Sequence, residues 1–105
     1  MRRADLVTVA ATGDDGKPRP AVIVQTDAFP ESHASVVVCQ LVDAPDFRVS
    51  VDPTPENGLR VTSHVMADKP VTVRRDWIGQ RIGRLGNQGM TQLSAALAFV
   101  LGLAD

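Results

Sequence analysis

Two stretches of this chain, residues 19–25 (RPAVIVQ) and 35–41 (SVVVCQL), are apolar almost without interruption and rich in β-branched residues. A run of that length bounded by turn residues reads as a central strand covered on both faces, because a strand with one wet face alternates instead. The other strand candidates are shorter. Residues 5–11 (DLVTVAA) form one and lead through the turn cluster TGDDGKP, residues 12–18, into a hairpin. Residues 47–51 (FRVSV) alternate, with Phe47, Val49 and Val51 facing in and Arg48 and Ser50 facing out. Two prolines and an Asn-Gly pair make 52–58 (DPTPENG) a loop. Residues 59–66 and 71–74 read as further short strands around a tight ADKP link, and 83–85 as a brief last one.

The chain then changes period. Asn87 suits the N-cap of a helix over residues 88–101, and Gly102 suits the position after its end. Met90, Leu93, Leu97, Val100 and Leu101 fall at helical spacing and read as a core-packing stripe rather than a cofactor site. Several short strands followed by one terminal helix predict a mainly β fold, a small and strongly curved antiparallel sheet partly closed into a barrel. With 105 residues there is room for one domain, 1–105, able to fold without metals or disulfides.

Composition prunes the possible functions. The net charge of −1 gives no global field for nucleic acid or membrane, so a polyanion must be met by a local basic patch. Cys39 cannot pair within the chain and reads as a small buried side chain. The basic N-terminus is followed by no signal-like apolar segment, and the apolar run at 95–101 falls far short of the ~20 residues of a membrane span. A cytoplasmic protein without membrane contact is the expectation. His and Cys residues lack metal-ligand spacing, and no phosphate-loop, nucleophile-elbow or dinucleotide motif occurs. No metal or cofactor is therefore expected, and His33 and His64 read as structural residues rather than bases.

The charge that stands out is Arg19, set between Pro18 and Pro20. The two rings hold it extended and restrict how its side chain leaves the backbone. A permanently charged guanidinium with forked donors matches phosphate oxygens, while Gly13, Gly16 and Lys17 would let a nucleotide chain approach. Spacing alone leaves a structural or merely solvated arginine as the commoner case. A second group, Asp68, Lys69, Arg74, Arg75, Arg81 and Arg84, reads by itself as a solvated face with weak ion pairs.

Taken in order, RADLVTVAATGDDGKPRPAVIVQTDAF, VVVCQL, PTPENGLRVTSHVMADKPVTVRRDWIGQRIGRL and ALAFVLGL resemble the MazF/PemK/Kid family of bacterial toxins over almost the whole chain. That resemblance implies an SH3-like, CcdB/PemK-like barrel and a metal-independent endoribonuclease. It would cut single-stranded RNA at short motifs by attack of the ribose 2′-hydroxyl, leave DNA uncut, act as a homodimer and be silenced by a cognate antitoxin. Arg19 matches the family's catalytic arginine, and Lys17, Gln25, Thr26, Asp68 and Lys69 would contact RNA. Asp68 also coincides with the carboxylate given an acid–base role in Kid, although Met66 and Val71 replace arginines found nearby in the family. Family members read V-V-V-x-P-L-T-S after the third strand, and the threonine supplies a hydroxyl opposite the arginine. Here Leu41 runs into VDAPD, and no Ser or Thr occurs from Val36 to Val49. Three accounts stay open: a shortened loop that disables or alters cleavage, a substitute such as Asp43 or a residue of a second subunit, or a few loop residues missing from the sequence as written. The alternatives to a nuclease are a non-catalytic toxin of the CcdB kind and an inert relative that binds a protein partner. The first lacks its terminal Trp-Gly-Ile, since this chain ends LGLAD.

Overall fold

The computed structural model describes residues 1–10, 17–43 and 49–103. Among them are seven strands, β1 (Asp5–Val9), β2 (Arg19–Ile23), β3 (Ser35–Val42), β4 (Val49–Val51), β5 (Ser63–Val65), β6 (Val71–Arg74) and β7 (Ile78–Arg84), then one helix, α1 (Asn87–Val100). All pairings are antiparallel, in the order β4-β5-β3-β2-β1-β7, with β6 also on β3. A single helical turn, Arg75–Trp77, joins β6 directly to β7 and so brings opposite borders of the sheet round into a half-barrel.

The unbroken apolar runs follow from two cores on opposite faces of this sheet. Leu6, Val22, Cys39, Leu41, Val49 and Val65 point outward and pack with Leu93 and Ala96 of α1, against which Met90 and Leu97 also rest. Val7, Val9, Ala21, Ile23, Val36, Val38 and Val73 point into the barrel with Trp77 and Ile78. Successive residues of β2 and β3 thus enter different cores, and each fully buried Val or Leu contributes about 1.5–3 kcal/mol.

β3 changes partner along its length. Ser35 to Val38 pair with β6, whereas Leu41 and Val42 pair with β5. The Met66 N–H bridges the changeover by donating to the Gln40 carbonyl at 2.9 Å. At the start of β1, buried Asp5 accepts from the Arg2 N–H at 2.7 Å, from Arg81 at 3.1 Å and from Arg84 at 3.3 Å. Burial pushes its pKa up, but these donors and charges outweigh it and hold the carboxyl below the ordinary range.

Several boundaries differ from the sequence reading. β1 and β2 end at Val9 and Ile23, two residues short, and Val24 and Gln25 share the Val37 carbonyl instead of continuing the ladder. β4 keeps Val49 and Val51 inward and Ser50 outward, while Phe47, Arg48, Ala11 and most of the expected hairpin turn lie outside the described residues. The strand expected over 59–66 shrinks to Ser63–Val65, because Thr62 and Ser63 turn their hydroxyls to Asp52 and the Val61 carbonyl. The brief strand expected at 83–85 is the seven-residue β7. The loop at 52–58 is a loop, built round buried Asn57, and Gly58 has φ +70°. A Cβ on Gly58 would lie 2.0 Å from the Ile82 carbonyl oxygen, so glycine is required there.

The helix begins one residue earlier than expected. Asn87 is inside it, Gly86 is the N-cap, and no side chain caps the first turn. It ends at Val100, one residue short of the expectation, and Leu101, expected in the core-packing stripe, is an exposed C-cap past the last turn. Gly102 does follow the end as expected: it has φ +73°, its N–H donates to the Phe99 carbonyl and that of Leu103 to the Ala98 carbonyl, the paired bonds of a Schellman motif.

Candidate active site at the barrel mouth

Arg19 opens β2 opposite Val9 and belongs to the same strand face as Ala21 and Ile23, the face of the inner core. It is exposed, as are Lys17 and Pro18 before it. At this end the barrel opens into a concavity of about 250 Å³, which Arg19 rims together with Gln40, Val71, Thr72 and Trp77. Arg19 therefore belongs to the lining of a concave surface.

Asp68 and Lys69 shortly precede Val71, which lines this concavity, but neither lines it. They sit in an exposed turn closed by the Lys69 N–H on the Met66 carbonyl at 3.1 Å, and Met66 is the residue bonded to Gln40. Burial, and then the charge of Asp68, push the Cys39 thiol up to about 11. The shift leaves Cys39 protonated and buried, unsuited to nucleophilic work.

Gln25 and Thr26 are not part of this cluster. They follow the opposite end of β2, about 20 Å from Arg19 by strand rise. Gln25 accepts from the Val37 N–H at 3.3 Å, Thr26 accepts from the Ala28 N–H at 3.2 Å, and both line a second hollow with Phe29, Glu31 and Arg75. Within one chain the expected RNA-contacting set thus divides between two ends of one strand.

His33 stacks on Phe29 with ring centroids 5.6 Å apart, and His64 Nδ1 lies 2.9 Å from Ser50 Oγ on the β4–β5 hairpin. Asp43 is exposed just after β3. Among the described residues no trio of His, Cys, Asp or Glu is placed to hold a metal ion. Sequence reasoning passed over Gln40, Thr72 and Trp77. The signal for Gln40 was present, since it is the one amide in the apolar run of β3.

A curled antiparallel half-barrel with a helix on its back and an arginine at its mouth is the architecture of a small toxin of the kind the resemblance implied. The chain belongs to the PemK-like, MazF-like toxins of type II toxin–antitoxin systems, whose family model matches residues 2–101. It is 43% identical over 109 aligned positions to the probable endoribonuclease MazF of Mycolicibacterium smegmatis, spanning 99% of both chains. Since 109 positions exceed 105 residues, at least four positions of that relative have no counterpart here. An endoribonuclease solved in complex with its cognate antitoxin, from a mycobacterial species, superposes with a TM-score of 0.80 at 26% identity, covering 98% of this chain and 96% of that one. A second mycobacterial endoribonuclease gives 0.77 at 24% identity, covering 97% and 91%.

Proposed function

We propose that this chain is an endoribonuclease toxin that cleaves single-stranded RNA at short sequence motifs without a metal, acts as a homodimer in the cytoplasm and is held inactive by a cognate antitoxin. The observation that carries this reading is Arg19, stiffened by two prolines and exposed at the rim of a concave mouth. The similarity to the probable endoribonuclease MazF and to an endoribonuclease bound to its antitoxin supports it.

In the reaction the ribose 2′-oxygen bonds to the adjacent phosphorus as its proton leaves, the bond to the 5′-oxygen breaks, and that oxygen takes a proton. A cyclic phosphate and a free 5′-hydroxyl result. DNA lacks the attacking hydroxyl and stays intact. Arg19 offsets the charge that builds on the phosphorane oxygens, a role whose loss costs about 10²–10³ in rate at comparable sites. Lys17, Asp68 and Lys69 would contact the RNA beyond the arginine, and RNA that also meets Gln25 and Thr26 runs the length of β2 or crosses a two-fold axis.

Purified protein is expected to cut a mixed single-stranded RNA in EDTA and to leave DNA whole. Arg19→Ala is expected to stay folded by circular dichroism and to slow cleavage at least about 100-fold. Unchanged cleavage by that variant removes Arg19 from the chemistry. A second reading, an inert relative that binds the antitoxin, is favoured by the absence of a Ser or Thr from Val36 to Val49. Tight antitoxin binding by a protein that cuts no RNA identifies it.

A further inference from the structure

We propose that the concavity beside Arg19 is a pocket for one nucleobase, read by the side-chain amide of Gln40. The proposal rests on the endoribonuclease reading and adds the source of its sequence preference.

Size comes first. About 250 Å³ is less than the ~300–1,000 Å³ that drug-sized ligands occupy, so the space suits one flat ring system rather than a folded stretch of chain. The walls suit a base as well. Ala21, Val38, Val71 and Val73 are apolar and Trp77 is aromatic, while unpaired RNA bases are recognised by stacking on such surfaces and by hydrogen bonds along their edges. Arg19 on the rim would hold a phosphate of the same strand, so a base next to it enters by rotation about its own backbone.

Gln40 is the feature that packing does not explain. The register Ala21↔Gln40 puts it on the inner face of β3, where Val36 and Val38 are apolar and buried. It is half-buried, and among the described residues its amide has no hydrogen-bond partner within the chain. Among the described residues no buried side-chain polar atom is left without a partner, so this amide keeps contact with water in the mouth, where its donor and acceptor are open to a ligand. A base edge entering the mouth would take the place of that water. The amide donates and accepts at once, the combination that matches the amino group and ring nitrogen of adenine.

The test uses the intact protein and a random-sequence RNA, with the 5′-hydroxyl ends sequenced after digestion. Wild type is expected to require one base beside the cut, adenine by the amide's chemistry. Gln40→Leu is expected to lose that requirement about tenfold, and Gln40→Glu, which only accepts, to shift it toward cytosine. Arg19→Ala slows every site alike and leaves the motif as it was. An unchanged motif in both Gln40 variants overturns the pocket while the nuclease stands. Trp77 is the only tryptophan, so its fluorescence gives a readout that needs no cleavage. Adenosine monophosphate is expected to quench it saturably in wild type and about tenfold more weakly in Gln40→Leu. If wild type cuts no RNA, the nuclease reading fails and the titration alone decides the pocket. Absence of quenching by all four nucleoside monophosphates then overturns it, as does quenching by an antitoxin peptide alone.

Discussion

Asp5 and Arg19 are charged residues on adjacent strands with opposite surroundings. Asp5 is buried, with 4% of its surface exposed, and is held by two guanidiniums and a backbone N–H; Arg19 stands at an open rim. The Asp5 carboxyl has its pKa lowered in the folded chain, so its pairing contributes stability above the ordinary carboxylate range and loses it as pH falls through the lowered value. Asp5→Asn is accordingly expected to cost about 2 kcal/mol at pH 7. The gap to wild type should narrow as both are melted at pH values from 7 down to 3. A gap that stays constant over that range would remove the ionised carboxylate from the account. At this scale the sequence was partly legible. Arg19 stood out because proline geometry is local, whereas Gln40 acquires its meaning only when β2, β3 and β6 bring Ala21, Val71 and Trp77 round it. Asp5 gave no signal, since the two guanidiniums that hold it lie 76 and 79 positions away.

The elements that were misjudged are those whose residues are set by pairing rather than by propensity. β7 reads IGQRIGR, with glycines and arginines where a strand would show β-branched residues, and its register against β1 shifts twice, which breaks the two-residue period. The pairing with β1 makes it a strand. The loop at 52–58 was legible because its chemistry is self-contained: the Asn57 amide oxygen accepts from Thr54 and Leu59, its NH₂ donates to Asp52, and its own N–H donates to Thr54 Oγ1. Asn57→Ala strips three of these bonds from a buried site and is expected to destabilise by about 3 kcal/mol. Urea unfolding measures this, and a loss under about 1 kcal/mol would show that water takes over the amide's partners. The helix start was misplaced for a related reason. Asn87 is a good capping residue in isolation, but the Met90 N–H bonds to the Gly86 carbonyl and draws Asn87 into the first turn.

For the molecule as a whole, fold class was readable from two apolar runs and one helical stripe, while its manner of closing was not. The short Arg75–Trp77 link that curls the sheet carries no pattern distinct from a loop. Phe99, Leu101 and Leu103 remain exposed near the end of α1, at 53%, 57% and 76% of their surface. A homodimer that covers part of this apolar end fits the proposed shared groove. Sedimentation at micromolar concentration is expected to give twice the chain mass, and monomer alone would argue against a groove made by two copies. The two cores share a sheet but no side chain, and this has a bearing on how such a protein can change. The lining of the mouth can drift toward a different guest while the helix keeps its grip on the opposite wall, so recognition and architecture are free to evolve at separate speeds.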